Sequence, residues 1–126
     1  MNETVEAGTR EKLTENFYRD EFACKCGCGE DRIDMKLVIK LQKVRDEFGR
    51  SLKVTSGCRC PAHNKRVKGS RFSAHTFYVA ADIYCADSSA RWVLLKLLQN
   101  EFKRIGVYTE WFHVDIDVTK PQEVLW

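Results

Sequence analysis

An aspartate inside an apolar stretch is the feature that most constrains how this chain folds. Asp82 lies within Val79-Ala80-Ala81-Asp82-Ile83, a small and partly β-branched run that predicts a buried strand over residues 79–84. A carboxylate entering a buried strand is costly unless it is hydrogen-bonded, ion-paired or bound to a metal. Asp82 therefore needs a partner, and His75 precedes it in the same stretch.

A second stretch, residues 110–115, contains another histidine and further carboxylates. Its sequence is Glu110-Trp111-Phe112-His113-Val114-Asp115, and the alternation that continues from it predicts a strand over residues 112–118. In such a strand His113, Asp115 and Asp117 would share one face. A face of this kind is either solvated or part of a site.

Two of the three histidines of the chain lie in these two stretches. His75, Asp82 and His113 together predict a mononuclear zinc site. Two neutral imidazoles and one carboxylate leave the fourth tetrahedral position free for water, which a hydrolytic zinc site requires. The structural alternatives are a hydrogen-bonded polar histidine and a buried ion pair between Asp82 and Arg59.

The size and charge of the chain limit its class. Its 126 residues suffice for one hydrophobic core, and we expect a flexible tail over residues 1–12 and one domain over residues 13–126. A formal net charge of +3, with basic and acidic residues interspersed, argues against a nucleic-acid partner. We expect the domain to act as a monomer.

Hydrophobic periodicity predicts two main helices. The first begins at Asp34, which can cap it, and ends at Gly49; its apolar stripe is Leu37, Val38, Leu41, Val44 and Phe48. The second covers residues 89–102 after Asp87 or Ser88, and its wide apolar face contains Trp92, Val93, Leu94, Leu95, Leu97 and Leu98. Both stripes are typical of helices that pack on a core.

Short strands separate and follow these helices. Beside residues 79–84 and 112–118, strands are predicted over residues 52–55 and 105–108, and a helical turn is predicted from Pro61 to Val67. Pro121 is expected to end regular structure. The predicted fold class is α+β, a small antiparallel sheet with two main helices.

Four separate motifs resemble the zinc peptidases typified by bacterial D-Ala-D-Ala carboxypeptidases, D-Ala-D-Ala dipeptidases and phage L-alanyl-D-glutamate endopeptidases. They are the turn Ser56-Gly57-Cys58-Arg59, the pair His63-Asn64, the box at residues 73–82 with Ser73, His75, Ala80 and Asp82 in place, and His113 in a late strand. The resemblance covers most of the chain from about residue 17, and is strongest to small phage and prophage members. It implies the fold that these peptidases share with the Hedgehog signalling domain.

The resemblance implies a role for each matching residue. His75, Asp82 and His113 are the implied zinc ligands, and Glu110, in a Glu-x-x-His element, is the implied general base. Asp115 is the alternative base, or else it orients a ligand. Arg59 is implied to polarise the scissile carbonyl or hold a substrate carboxylate, and Ser73 to donate to substrate; His63 and Asn64 are expected to brace the loop.

Two positions depart from the family pattern. Tyr78 stands where the box has glycine, so either the local backbone differs or the phenol lies over the pocket, narrows it and contacts substrate. Cys58 replaces the aromatic residue of the turn before Arg59. The zinc ligands are unchanged.

Six cysteines are many for a chain of this length. Cys24, Cys26 and Cys28 lie in a glycine-containing loop, and together with Cys58 and Cys60 they could hold a second, structural zinc. Disulfides between the two loops are the alternative, and Cys85 is expected to be a small buried hydrophobe.

These observations predict a zinc-dependent peptidase that hydrolyses peptide bonds in peptidoglycan stem peptides with a zinc-activated water, as a carboxypeptidase or an endopeptidase. The alternative is a catalytically weak or inactive zinc-binding module of the same fold; a third candidate is a purely structural cysteine-zinc protein. Residues 1–12 lack the apolar core of a signal peptide, and no stretch reaches the roughly 20 apolar residues of a membrane span. We therefore expect synthesis in the cytoplasm and no membrane partner, with release to the cell wall by phage lysis or another route.

Overall fold

The computed structural model describes residues 10–126 and shows three helices and seven strands in that range. The helices are α1 (Met35–Phe48), α2 (Pro61–Arg66) and α3 (Ser88–Glu101). The strands are β1 (Lys12–Thr14), β2 (Phe17–Tyr18), β3 (Lys53–Ser56), β4 (Ala80–Tyr84), β5 (Arg104–Val107), β6 (Trp111–Asp115) and β7 (Val124–Leu125). Short 3₁₀ turns cover Arg19–Phe22 and Ala74–Phe77. The α+β class predicted from the sequence is confirmed.

The main sheet has five strands in the order β3-β4-β6-β5-β7. Neighbours are antiparallel except β5 and β7, which are parallel. β7 was not expected, since Pro121 was predicted to end regular structure; the chain instead returns after Pro121 to add an edge strand. A small hairpin of β1 and β2 also escaped the prediction.

The two main helices begin and end as their sequences predict. The Asp34 side chain accepts the N–H of Lys36, and the helix stops at Gly49, whose φ of 73° is left-handed. Asp87 caps α3 through the N–H of Ala90. The predicted apolar face of α3 was too wide, because Trp92 is 69% exposed and lies on the outer side of the helix.

The sheet separates a core face from a polar face. Ala81, Ile83, Ile105, Phe112 and Val114 are buried in one cluster with α1 and α3. The alternate residues of the same strands, Asp82, His113 and Asp115 among them, point to the opposite face. The charged residues of β4 and β6 therefore lie outside the hydrophobic core, although both strands are in the interior of the sheet.

The predicted tail, residues 1–12, lies largely outside the described residues. Within residues 10–12, Arg10 pairs with Asp20 at 2.7 Å and Lys12 begins β1. No helix in the described part of the chain has the length and apolar character of a membrane span.

Candidate metal centre

Three metal-binding side chains meet on the polar face of the sheet: His75, Asp82 and His113. Asp82 Oδ1 lies 3.2 Å from His75 Nε2 and 3.2 Å from His113 Nδ1. One donor atom of each side chain lies within 4.8 Å of the other two. The structure thus brings together the three residues that the sequence proposes as ligands.

The fold positions these side chains by three local devices. Asp82 and His113 are register partners in β4 and β6, so both project from one face. His75 comes from the 3₁₀ turn before β4, and the Ser73 hydroxyl oxygen accepts the His75 N–H at 3.2 Å. The turn between His75 and Asp82 then brings His75 Nε2 to 3.2 Å from Asp82 Oδ1.

In each imidazole, the nitrogen that faces away from Asp82 makes a hydrogen bond. His75 Nδ1 donates to the Gly57 carbonyl at 2.6 Å, because a carbonyl oxygen only accepts. His113 Nε2 donates to Asp115 Oδ2 at 2.7 Å. When the rings are neutral, the other nitrogen of each, His75 Nε2 and His113 Nδ1, therefore carries no hydrogen and directs its lone pair at the Asp82 carboxylate.

Three acceptors that face one another repel unless a cation lies between them. A tetrahedral zinc ion with ligand bonds of about 2.0–2.1 Å would separate its ligand atoms by about 3.3 Å, close to the 3.2 Å between Asp82 and each imidazole. The donor set, two imidazoles and a carboxylate, is one that zinc prefers. The residues therefore fit a zinc ion, with Gly57 and Asp115 holding the two rings in the required tautomers.

The same contacts set the protonation of the centre. Burial alone would raise the pKa of Asp82, but its close contacts with His113 and His75, which are favourable when the imidazoles are protonated, outweigh burial and hold that pKa well below its ordinary value. Burial alone would lower the pKa of His113, yet its hydrogen bonds to Asp115 and Asp82 raise it. Without a metal, a proton on His113 is thus the cation that this centre favours.

An open cavity of about 440 Å³ lies over the centre. Its lining includes all three candidate ligands and basic, small and aromatic side chains: Arg59, Lys68, Ser70, Ser73, Arg104, Tyr108, Trp111, Asp115, Lys120 and Trp126. The cavity is large enough for part of a small peptide. Because the three candidate ligands form part of its lining, a molecule bound in the cavity would lie beside the metal centre.

Arg59 lies at the edge of the centre and is braced on three sides. Its guanidinium donates to Asp82 Oδ2 at 3.4 Å, to Asn64 Oδ1 at 3.1 Å and to Ser56 Oγ at 3.3 Å. The ion pair with Asp82, weighed from the sequence as an alternative, is therefore present beside the triad. Asn64 is buried and also donates to the Ser70 carbonyl at 2.8 Å, which makes it a brace of this loop.

Tyr78 lies away from the cavity. Its φ of 66° is left-handed, and its N–H donates to the carbonyls of Ala74 and His75, so tyrosine adopts the conformation that glycine would adopt more easily. The ring packs against Arg32, whose guanidinium carbon is 4.5 Å from the ring centroid. Tyr78 does not line the cavity, so the expectation that its phenol narrows the pocket is wrong, while its contact with substrate stays a prediction.

The two candidate bases differ in their surroundings. Glu110 is exposed in the turn between β5 and β6 and is not part of the cavity lining, although Tyr108 and Trp111 on either side are. Asp115 lines the cavity but is only 1% exposed, and its two oxygens bind Arg104 Nε at 2.8 Å and His113 Nε2 at 2.7 Å. These contacts favour the orienting role that the sequence offered as the alternative for Asp115.

Sequence reasoning missed several residues around the cavity. Arg104 joins Asp115 to the Pro121 carbonyl, to which it donates at 2.7 Å. Trp126 lies 5.4 Å from His113 between ring centroids, and its Nε1 donates to the Tyr108 hydroxyl at 2.8 Å. Lys120 binds Asp117 and the Phe72 carbonyl. Trp126 depends on the return of the chain to β7, which no local pattern indicated.

The cysteines divide into two groups. Cys24, Cys26, Cys28 and Cys60 form a second cluster, with one sulfur of each within 4.8 Å of the others. Cys58 was expected among them but is turned away: it is buried and its sulfur donates to the Glu30 carbonyl at 3.2 Å. Cys85 is buried, as predicted.

Together, the α+β scaffold, the imidazole–carboxylate centre and the open cavity fit the class of metal-dependent hydrolases. Residues 15–117 match the sequence profile of peptidase M15, and the chain belongs to this family. Peptidases of the M15 family are zinc enzymes, which agrees with the donor set. No curated protein matches the chain with significance.

Proposed function

We propose that the protein is a zinc-dependent peptidase that hydrolyses peptide bonds in the stem peptides of bacterial peptidoglycan. The observation that carries the proposal is the convergence of His75 Nε2, Asp82 Oδ1 and His113 Nδ1 beneath an open cavity of about 440 Å³. A bound zinc ion would lower the pKa of a water molecule and polarise the scissile carbonyl. Family membership supports the peptidase chemistry.

The charges around the cavity favour an anionic peptide. Arg59, Lys68, Arg104 and Lys120 all contribute to its lining. Arg104 and Lys120 are engaged by Asp115 and Asp117, so Arg59 and Lys68 are the better candidates for a substrate carboxylate. Stem peptides carry such carboxylates, and a terminal one held by Arg59 would suit carboxypeptidase action.

Three polar residues beside the metal centre have separate roles in this proposal. Arg59 offers a planar donor group beside Asp82, suited to a carbonyl oxygen that gains charge or to a carboxylate. The Ser73 oxygen accepts the His75 N–H, which leaves its own hydroxyl hydrogen to donate to substrate. Asp115 keeps His113 in the ligating tautomer.

We propose Glu110 as the general base. Asp115 is a poor candidate because both its oxygens already accept hydrogen bonds from Arg104 and His113. Glu110 follows shortly after Tyr108 and directly precedes Trp111, two residues that line the cavity. In this role its exposed carboxylate would turn toward the cavity, take a proton from water and deliver it to the leaving amine.

A second candidate function is a zinc-binding module with little or no hydrolytic activity. The exposed position of Glu110, outside the cavity lining, favours it. In that case the cavity would bind peptides without cleaving them.

Digestion of purified muropeptides by the zinc-loaded protein, analysed by mass spectrometry, distinguishes the two functions. A peptidase gives products that differ from the substrates by a defined hydrolysis, and the masses identify the bond that is cut. His75→Ala should abolish this activity, and Glu110→Gln should reduce it by about 100-fold or more with the metal retained. Zinc binding without hydrolysis by the wild-type protein would favour the module.

The remaining expectations extend this proposal. We propose that the protein acts as a monomer, is made in the cytoplasm, and reaches peptidoglycan by phage lysis or another release route. The likeness to phage and prophage peptidases and to the Hedgehog fold is supported by the motifs at residues 56–59 and 73–82.

A further inference from the structure

Four cysteine sulfurs form a cluster that the peptidase chemistry does not use. Cys24 Sγ lies 3.5 Å from Cys26 Sγ, and Cys26 Sγ lies 3.6 Å from Cys60 Sγ. The sulfur of Cys28 completes the group, and all four lie within 4.8 Å of one another. Three come from one short loop and the fourth from the turn before α2.

The loop conformation gathers its sulfurs by means of two glycines. Gly27 and Gly29 have φ values of 85° and 92°, which other residues adopt only with strain. No neighbouring atom lies within 4 Å of the Cβ position at either glycine, so the requirement is conformational and not steric. The left-handed residues bend the alternating cysteines so that their sulfurs face one point.

Backbone N–H groups point at two of the sulfurs. The Cys60 N–H donates to Cys24 Sγ at 3.4 Å, and the His63 N–H donates to Cys60 Sγ at 3.4 Å. Such donors stabilise the thiolate form, which is the form that binds metals. Cys60 also occupies the N-cap of α2, where its sulfur accepts the His63 N–H.

We infer that Cys24, Cys26, Cys28 and Cys60 bind one zinc ion as a closed, four-sulfur structural site. Zinc–sulfur bonds of about 2.3 Å in a tetrahedron would separate the sulfurs by about 3.8 Å, near the 3.5 and 3.6 Å found between neighbours. Four protein ligands leave no position for water, so this ion would not be hydrolytic. The inference goes beyond the proposed peptidase function and does not rest on it.

The site would fasten a loop that shapes the metal centre. Cys60 directly follows Arg59, and the Cys58 N–H donates to the Phe22 carbonyl at 2.9 Å. A Cβ added to Gly57 would come within 2.5 Å of the Phe22 backbone, which shows how closely the two segments pack. A zinc ion there would therefore anchor both Arg59 and the Gly57 carbonyl that orients His75.

Metal analysis of the zinc-loaded, reduced protein tests the inference. We expect about two zinc ions per chain in the wild type. The double variants Cys24→Ser/Cys26→Ser and His75→Ala/His113→Ala should each retain about one. Cys58→Ser and Cys85→Ser, buried thiols outside the quartet, serve as matched controls and should retain both ions. A wild type with only the histidine-dependent ion, or a quartet variant that keeps both, overturns the inference.

Two measurements on the unaltered sequence apply even if the serine variants fail to fold. Cobalt substitution should give intense sulfur-to-cobalt charge-transfer absorption, which imidazole and carboxylate ligands do not produce. Alkylation should spare Cys26 and Cys28 with zinc present and modify both after chelation, although both are exposed. Equal alkylation with and without zinc, or disulfides in the quartet that persist in reducing buffer, would contradict a zinc site while leaving the histidine centre untouched.

Discussion

Asp82 and His113 lie directly opposite each other in antiparallel strands, and Asp82 Oδ1 is 3.2 Å from His113 Nδ1. The sheet thereby fixes two of the three candidate ligands by backbone hydrogen bonding. Such a pair needs little rearrangement on metal binding, because register partners on one face keep their spacing. Only His75 depends on a turn, and the Gly57 carbonyl and Ser73 hold that turn in place.

Replacing Asp82 by asparagine should remove one zinc ion per chain. The amide keeps the shape of the side chain but loses the negative charge that draws the cation between two imidazoles. Loss of a group that only hydrogen-bonds to a metal ligand lowers zinc affinity by roughly 10- to 100-fold. Loss of the Asp82 carboxylate, a ligand itself, should lower zinc affinity by more. Metal content after dialysis against a zinc buffer measures it, with Asp46→Asn on exposed α1 surface as control. Equal metal content in both variants would remove Asp82 from the ligand set.

The metal-free protein should lose stability as the pH rises above neutrality. His113 has a raised pKa, so its contribution is present below the unfolded pKa of about 6.5 and is lost as pH rises through the folded pKa. Asp82 has a lowered pKa, so its contribution is present above about pH 3.9 and is lost only in stronger acid. The metal-free chain should therefore be most stable between about pH 4 and 6.5.

Thermal unfolding with a chelator and reductant, repeated from acid to alkaline pH, measures this dependence. His113→Asn should flatten the decline above neutrality, while Asp46→Asn should leave it unchanged. Zinc should reverse the trend, because binding displaces the His113 proton and so strengthens as the pH rises. A stability that climbs with pH in the metal-free wild type would contradict this account.

The sequence allowed prediction of the parts of the fold that depend on local signals. Asp34 and Gly49 marked both ends of α1, and alternation around Asp82 and His113 identified central strands. Motif resemblance, and not periodicity, brought His75 to the same point. Trp92 was assigned to the core because apolar residues surround α3 on so many sides that helical spacing alone does not identify its buried face.

What escaped prediction depends on non-local contacts. β7 pairs in parallel with β5 after an irregular segment, and no turn signal marks such a pairing. Trp126 therefore could not be placed beside His113 in advance. Cys58 and Cys60 are two residues apart, and only the folded turn shows that Cys60 joins the quartet while Cys58 binds the Glu30 carbonyl.

Removing the Arg104 guanidinium should destabilise the domain strongly. Asp115 is 1% exposed, and Arg104 Nε donates to it at 2.8 Å. Arg104→Met therefore leaves a buried carboxylate without its guanidinium partner, with only His113 Nε2 and the Asp117 N–H as donors. Loss of one partner of a buried pair costs about 3–5 kcal/mol. Urea unfolding measures the loss, with Arg66→Met on the exposed side of α2 as control. The double variant Arg104→Met/Asp115→Asn should lose less than the sum of the single changes, and strict additivity would argue against the pair.

The left-handed backbone at Tyr78 predicts an order among its variants. Tyr78→Ala and Tyr78→Gly both lose the ring that packs on Arg32. Only alanine still has a Cβ, which makes the left-handed backbone with its φ of 66° unfavourable. Glycine should therefore be the more stable of the two by about 1 kcal/mol. Denaturant unfolding measures the difference. Both variants should retain the muropeptide hydrolysis that we propose, since Tyr78 does not line the cavity; a large loss of activity in Tyr78→Gly would indicate that the ring contacts substrate.

Gly106 should be intolerant of a side chain because Trp126 packs over it. A Cβ there would lie 2.7 Å from Trp126 Nε1 and 2.8 Å from Tyr108 Cε2, so Gly106→Ala must displace an aromatic ring of the cavity wall. We expect a destabilisation of about 1–3 kcal/mol, toward the lower end because Trp126 is 45% exposed and can move. Urea unfolding gives the stability, and tryptophan fluorescence reports the displacement. In a Trp126→Ala background the same glycine change should cost clearly less, because two of the three nearest atoms have been removed. An equal cost in both backgrounds would place the strain on Tyr108 or elsewhere in β5.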